Sequence, residues 1–169
     1  VHAIQRTEGL SKAAAYAEAN RQLESVLAGE TSALANTANM AALIYQALPG
    51  LNWAGFYFLS GEELVLGPFQ GKVACVRIRL GSGVCGTAAL RRETIVVPDV
   101  HAFPGHIACD AASRSEIVVP LVAGGDLLGV LDLDSPHQGR FDAEDAAGLG
   151  GAVGILLASC DLRPLCSLG

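Results

Sequence analysis

The chain has neither a long apolar run nor a basic cluster. Its apolar stretches are broken by Gly, Asp or Pro well before the roughly 18 residues that a spanning helix needs, which excludes a transmembrane segment of that kind. The largest basic group is the pair Arg91 and Arg92, and 17 acidic against 11 basic side chains leave a net charge of −6 at pH 7. Such a surface repels phosphate backbones and speaks against nucleic acid as a partner. No charged-then-apolar leader opens the sequence, so a soluble, cytoplasmic protein is expected. The five cysteines, at positions 75, 85, 109, 160 and 166, lack the even count and the density of a secreted disulfide scaffold, and thiols in a reducing compartment fit better. They also lack the C-x2-C spacing of structural zinc sites. A metal centre built from Cys75, Cys85, His101, His106 and Cys109 is therefore not expected.

What is present reads as one globular domain: 169 residues, 51% hydrophobic and 17% charged. Tyr16, Ala19, Leu23, Val26 and Leu27 fall on one stripe and predict a helix over 11–28, with Ser11 as N-cap and Gly29 as stop. A second helix over 31–48 is expected to place Leu34, Ala38, Ala41, Tyr45 and Leu48 on one side, ending at Pro49-Gly50. Short β-rich runs follow at 52–59, 63–66, 73–80, 94–97, 117–122 and 127–134. Turns at Ser60-Gly61, Gly67-Pro68 and Gly124-Gly125-Asp126 favour antiparallel neighbours, and only a short helix near 87–92 interrupts them. Asp142 with Asp145 forms a capping box for a last helix to Ser159. Its Ala147, Gly151, Gly154 and Ala158 make a small-residue stripe that is expected to be covered by packing or by a dimer contact, since each helical Gly costs about 1 kcal/mol relative to Ala. The pattern is α+β: an N-terminal extension over 1–10, a domain over 11–160 and a tail over 161–169.

Several side chains carry chemistry. Period 2 in the first strand puts Trp53, Gly55 and Tyr57 on one face and Ala54, Phe56 and Phe58 on the other. Two aromatic walls beside a glycine gap suit a small apolar group, because aromatic faces attract sulfur-methyl groups and cations; an ordinary core strand is the alternative. Val130, Asp132 and Asp134 share a face opposite Leu131 and Leu133. Either the two carboxylates meet solvent, or they converge with Glu116 in a pocket where repulsion and desolvation keep one proton at neutral pH, available for donation to a substrate oxygen. Cys109 lies in a loop of small residues between strands. Cys75 shares a strand face with Arg77 and Arg79, whose charges favour a thiolate unless the arginines are simply solvated. The string Gly81-Ser82-Gly83-Val84-Cys85-Gly86 matches a dinucleotide fingerprint, but the helix is too short for a βαβ crossover and hairpins precede it. A tight glycine turn explains it.

Taken together, Asn52-Trp53-Ala54-Gly55-Phe56-Tyr57, Gly67-Pro68-Phe69-Gln70-Gly71, Gly83-Val84-Cys85-Gly86, His106-Ile107-Ala108-Cys109, Ser115-Glu116-Ile117-Val118-Val119-Pro120 and Gly129-Val130-Leu131-Asp132-Leu133-Asp134-Ser135 resemble the free methionine-(R)-sulfoxide reductases. The resemblance runs from about Thr31 to Leu149. It implies a GAF (PAS-like) domain, with a central antiparallel sheet and N- and C-terminal helices on one side, commonly a homodimer. It also implies reduction of free methionine sulfoxide with no metal or organic cofactor. Cys109 matches the family's nucleophile and Cys75 its resolving cysteine; Cys85 matches a third cysteine. Trp53 and Tyr57 match the aromatic walls of the substrate pocket, and Glu116, Asp132 and Asp134 its carboxylates. The implied chemistry leaves a sulfenic acid on Cys109, then a disulfide with Cys75 that thioredoxin or a similar dithiol reduces. The competing expectation is a non-catalytic GAF domain that senses a ligand or a redox state.

Overall fold

The computed structural model describes residues 3–105 and 111–167. Helices α1 (Lys12–Leu27) and α2 (Ala33–Ala47) precede strands β1 (Trp53–Ser60), β2 (Glu63–Gly71) and β3 (Arg77–Arg79). Helix α3 (Gly83–Arg91), β4 (Ile95–Val97), β5 (Ser115–Ala123), β6 (Asp126–Ser135) and α4 (Ala143–Ser159) follow, with 3-10 turns at Val100–Ala102 and Arg163–Ser167. The strands form one antiparallel sheet in the order β3-β2-β1-β6-β5-β4. Gly124 and Gly125 both hold positive φ (60° and 84°), the backbone that a two-residue hairpin between β5 and β6 requires. Among the described residues, no helix is long and apolar enough to cross a membrane.

The two sheet faces are covered differently. Ala54, Phe56, Phe58, Ile117, Leu131 and Leu133 pack into the core shared with α1, α2 and α4. On the opposite face Trp53, Tyr57, Val118 and Val130 cluster with Val84, Cys85, Ala88 and Ala89 of α3. The alternation in β1 and β6 thus separates a structural face from a face reserved for α3 and a cleft. Both flanks join the first core. Thr7 is buried with its N–H and Oγ1 donating to the Ala47 carbonyl, and Leu162 is fully buried beside α4.

Four expectations shift. In α2 the buried residues are Ala33, Asn36, Thr37, Met40, Ala41, Leu43, Ile44 and Ala47; of the expected stripe Ala41 and Leu48 are buried and Tyr45 is half-buried, while Leu34 is 58% exposed and Ala38 is exposed. Met40, Leu43 and Ile44 outweigh the alternative stripe in apolar area, and Thr37 satisfies its hydroxyl by donating to the Ala33 carbonyl at 2.8 Å. Gly67-Pro68 is not a turn. Strand β2 runs through it to Gly71, and the register slips between Gly55↔Phe69 and Tyr57↔Leu66, so the proline sits at a bulge where its missing N–H breaks no ladder. The strand expected over 73–80 shrinks to Arg77–Arg79, leaving Cys75 in the preceding loop. Finally, Ala147, Gly151, Gly154 and Ala158 are exposed within the single chain, so of the two expected covers, packing within the chain and a dimer contact, the first does not form among the described residues.

The close approach between α1 and α4 is made instead by Gly148, where any Cβ would fall inside the Tyr16 ring. Tyr16 has nowhere to go. Its Oη donates to Asp145 Oδ1 at 2.8 Å, and the fully buried Asp145 side chain also binds Lys12 (2.5 Å) and Arg140 (2.8 Å). Gly148→Ala is therefore expected to destabilise by about 1–3 kcal/mol, overpacking outweighing the roughly 1 kcal/mol of helix propensity gained. A urea midpoint equal to or above that of the unmodified protein would contradict this packing.

Candidate active site

One cleft on the α3 face collects most of the chemically interesting side chains. Trp53 and Tyr57 from β1, Glu116 from β5, Asp132 and Asp134 from β6, and Cys85 from the first turn of α3 all line it. Strand pairing accounts for the convergence: Glu116 lies directly across from Asp134, which also pairs with Trp53, while Asp132 pairs with Gly55 and Val118. The solvent-facing alternative for the carboxylates does not hold. Glu116 and Asp132 are each only 6% exposed, and Asp134 is half-buried at the rim.

The electrostatics follow from that burial. Desolvation, reinforced by the negative charges of Asp132 and Asp134, raises Glu116 well above the ordinary carboxylate range. Asp132 is pushed up to about 7 by burial, partly offset by hydrogen bonds from Cys85 and Glu116. Glu116 therefore holds a proton that it shares with Asp132, and the pair titrates as a unit. The Cys85 thiol donates to Glu116 Oε1 at 3.9 Å. Burial first, then the neighbouring carboxylates, raise its pKa, the opposite of what an attacking thiolate needs. Sγ of Cys85 and carboxylate oxygens of Glu116 and Asp132 all lie within 4.8 Å of one another, close enough to share one cation.

The aromatic wall differs from the sequence expectation. No gap remains at Gly55, because the Trp53 ring folds over it and stacks on Phe69 (centroids 5.3 Å apart) as well as on Tyr57 (6.0 Å). A Cβ at Gly55 would approach the Trp53 ring to 2.8 Å. The glycine thus seats the wall rather than the ligand. Both rings are tied to the loop that carries Cys75: Trp53 Nε1 donates to the Lys72 carbonyl (3.1 Å) and Tyr57 Oη to the Cys75 carbonyl (3.0 Å). Cys75 itself is half-buried, next to Val73 and Ala74, which line the cleft. Arg77 and Arg79 lie exposed on β3, where both reach Glu63 (3.5 and 4.0 Å).

Cys109, together with His106, lies outside the described residues. Ser113, four positions further on, lines the cleft, is buried, and accepts from Asn52 Nδ2 at 3.1 Å. Ser113 had no sequence signal beyond its place in the small-residue string. Ser82 and Gly83 also line the cleft, and here a signal existed. The glycine string read as a turn opens α3, with Gly83 at φ 61°. Ser82 makes no side-chain capping bond. The first amides of α3 thus begin at the cleft wall with no intrahelical partner, a position that favours an anion.

A model of the GAF domain matches residues 22–159. The free methionine-R-sulfoxide reductase of Escherichia coli (strain K12) is 54% identical over 91% of this chain and 95% of its own length. That of Saccharomyces cerevisiae is 46% identical over 78% of each chain. The X-ray structure of free methionine-R-sulfoxide reductase from Neisseria meningitidis, in complex with its substrate, superposes with a TM-score of 0.91. It is 48% identical, covering 98% of this chain and 99% of that one.

Proposed function

Because the chain belongs to the free methionine-R-sulfoxide reductases, a branch of the GAF domains, we propose that it reduces free L-methionine-(R)-sulfoxide to methionine with its own cysteines. The observation that carries this reading is the buried, proton-holding pair Glu116 and Asp132 at the floor of an aromatic-walled cleft. A sulfoxide oxygen needs a proton as its bond to sulfur weakens, and a carboxylic acid kept neutral supplies one.

The Cys109 thiolate attacks the sulfoxide sulfur, the carboxyl pair protonates the oxygen, and the hydroxyl passes from the substrate sulfur to Cys109 Sγ as the S–O bond and the transient Sγ–sulfur bond break. Methionine leaves, reduced by two electrons, and the oxygen remains on Cys109 as a sulfenic acid. The Cys75 thiol then displaces that oxygen as water and forms a disulfide, which thioredoxin or a similar dithiol reduces by exchange. Cys85, buried against Glu116, serves as a donor that orients the acid rather than as a nucleophile. The substrate methyl-sulfur group rests on Trp53 and Tyr57, its carboxylate on the opening amides of α3, and its ammonium on Asp134. A cleft that holds both charged ends of one amino acid leaves no path for a polypeptide.

The test is methionine formation by the reduced protein from the free R epimer, the free S epimer and a sulfoxide-containing peptide. Turnover of the free R epimer alone is expected. No turnover of any of them by a protein with intact thiols would replace this reading with a ligand-binding GAF module.

A further inference from the structure

We propose that Cys85, Glu116 and Asp132 form a binding site for a borderline divalent cation of the zinc class, and that its occupation closes the cleft to substrate. The second clause rests on the reductase reading; the first does not.

The donor set is a thiol and two carboxyls, all buried, on three elements that the sheet register fixes: α3, β5 and β6. Bond lengths of 2.0–2.3 Å at a tetrahedral zinc put its sulfur and oxygen ligands about 3.6 Å apart. Cys85 Sγ and Glu116 Oε1 are already at 3.9 Å, and an Asp132 oxygen lies within 4.8 Å of both, so side-chain adjustments of at most about 1.5 Å bring the set to bonding separations. Asp132 adds an independent sign, because its Oδ1 is buried with no hydrogen-bond partner among the described residues. A buried carboxylate oxygen without a partner is a lone pair that a cation would satisfy. Sulfur in the set selects zinc or cobalt over magnesium and calcium, which take six or more oxygens. All three ligands line the cleft, so a cation held there, with any water or anion it carries, would occupy the space assigned to the sulfoxide.

The experiment uses the full chain, reduced and then freed of dithiol, since dithiols bind zinc themselves. Cobalt(II) is titrated in, and the thiolate-to-cobalt absorption band is followed. The band is expected in the unmodified protein and in Cys109→Ser, absent in Cys85→Ser, and at least tenfold weaker in apparent affinity in Asp132→Asn. Free methionine should displace the cobalt from the unmodified protein, a readout that needs no variant. In single-turnover reduction, zinc should suppress methionine formation, and excess sulfoxide should relieve it. Sulfoxide turnover indifferent to zinc, with no Cys85-dependent band, overturns the metal site and leaves the reductase standing. A Cys85-dependent band in a protein that reduces no sulfoxide overturns the reductase and keeps the site. A band that survives Cys85→Ser, or that methionine leaves untouched, places the metal elsewhere and overturns the proposal.

Discussion

Cys109→Ser is expected to release no methionine in a single turnover, whereas Cys75→Ser should release one equivalent per chain and then stop. The asymmetry follows from the electron count. In the proposed mechanism the first two electrons come from Cys109 alone, and a serine hydroxyl, un-ionised at neutral pH, has neither the nucleophilicity nor the capacity to carry the oxygen as a sulfenic acid. Loss of a covalent nucleophile costs on the order of 10⁴ or more in rate, which places Cys109→Ser below detection. On the same proposal Cys75 is needed only afterwards, to expel water and make the disulfide. Its loop supports that role, because its backbone is anchored to the pocket walls through Tyr57 and Trp53, holding Cys75 at the cleft margin. Quantifying methionine from stoichiometric sulfoxide without external reductant checks both variants. Equal yields would sink the division of labour.

Much of this arrangement was legible in the sequence where one period governs one surface. The alternation in β1 and β6 separates Trp53, Tyr57, Asp132 and Asp134 from Phe56, Phe58, Leu131 and Leu133, and the two cores divide on that line. Caps were equally readable. Asp142 and Asp145 form the capping box, and Ser11 accepts from Ala14 N–H. What failed depended on pairing between distant segments. Nothing local says that Glu116 will face Asp134 across β5 and β6, so burial of the carboxylates stayed an open alternative until the register was known. Gly67-Pro68 carries turn residues, yet its neighbours β1 and β2 pair on both sides of it and turn it into a bulge. The stripe in α2 holds at Ala41 and Leu48 but not at Leu34 and Ala38, because the helix is apolar on more than one side and only the sheet decides which side it buries. The opening of α3 hides its role for a related reason. The glycine string resembles a dinucleotide fingerprint, while its physical content, a helix N-terminus at a cleft wall, suits any small anion.

Glu116→Gln is expected to slow the reductive step by about 10²–10⁴-fold, the range that general acid catalysis contributes, and to change the response to pH. The amide keeps the shape and a hydrogen-bond donor, but it has no proton to release to a departing oxygen. In the unmodified protein the single-turnover rate should fall as pH rises through about 7, where Asp132 and its partner begin to lose the shared proton. The need for Cys109 thiolate opposes that fall at the acid end, so a bell-shaped profile results. Glu116→Gln should lose the alkaline limb. Stability moves with the same protons. Both carboxyls titrate higher in the folded protein than in the unfolded chain, so their contribution is fully present below about pH 4, where the unfolded chain is also protonated. It is lost as pH rises through the folded values, because the folded state must surrender protons it holds more tightly. Urea midpoints of the unmodified protein should therefore carry a declining component from mildly acidic to neutral pH that Glu116→Gln lacks in part. The proposed proton donor is thus held at the cost of stability near neutral pH. A Glu116→Gln variant with an unchanged single-turnover rate, or with a pH dependence of stability identical to that of the unmodified protein, would remove Glu116 from the proton path.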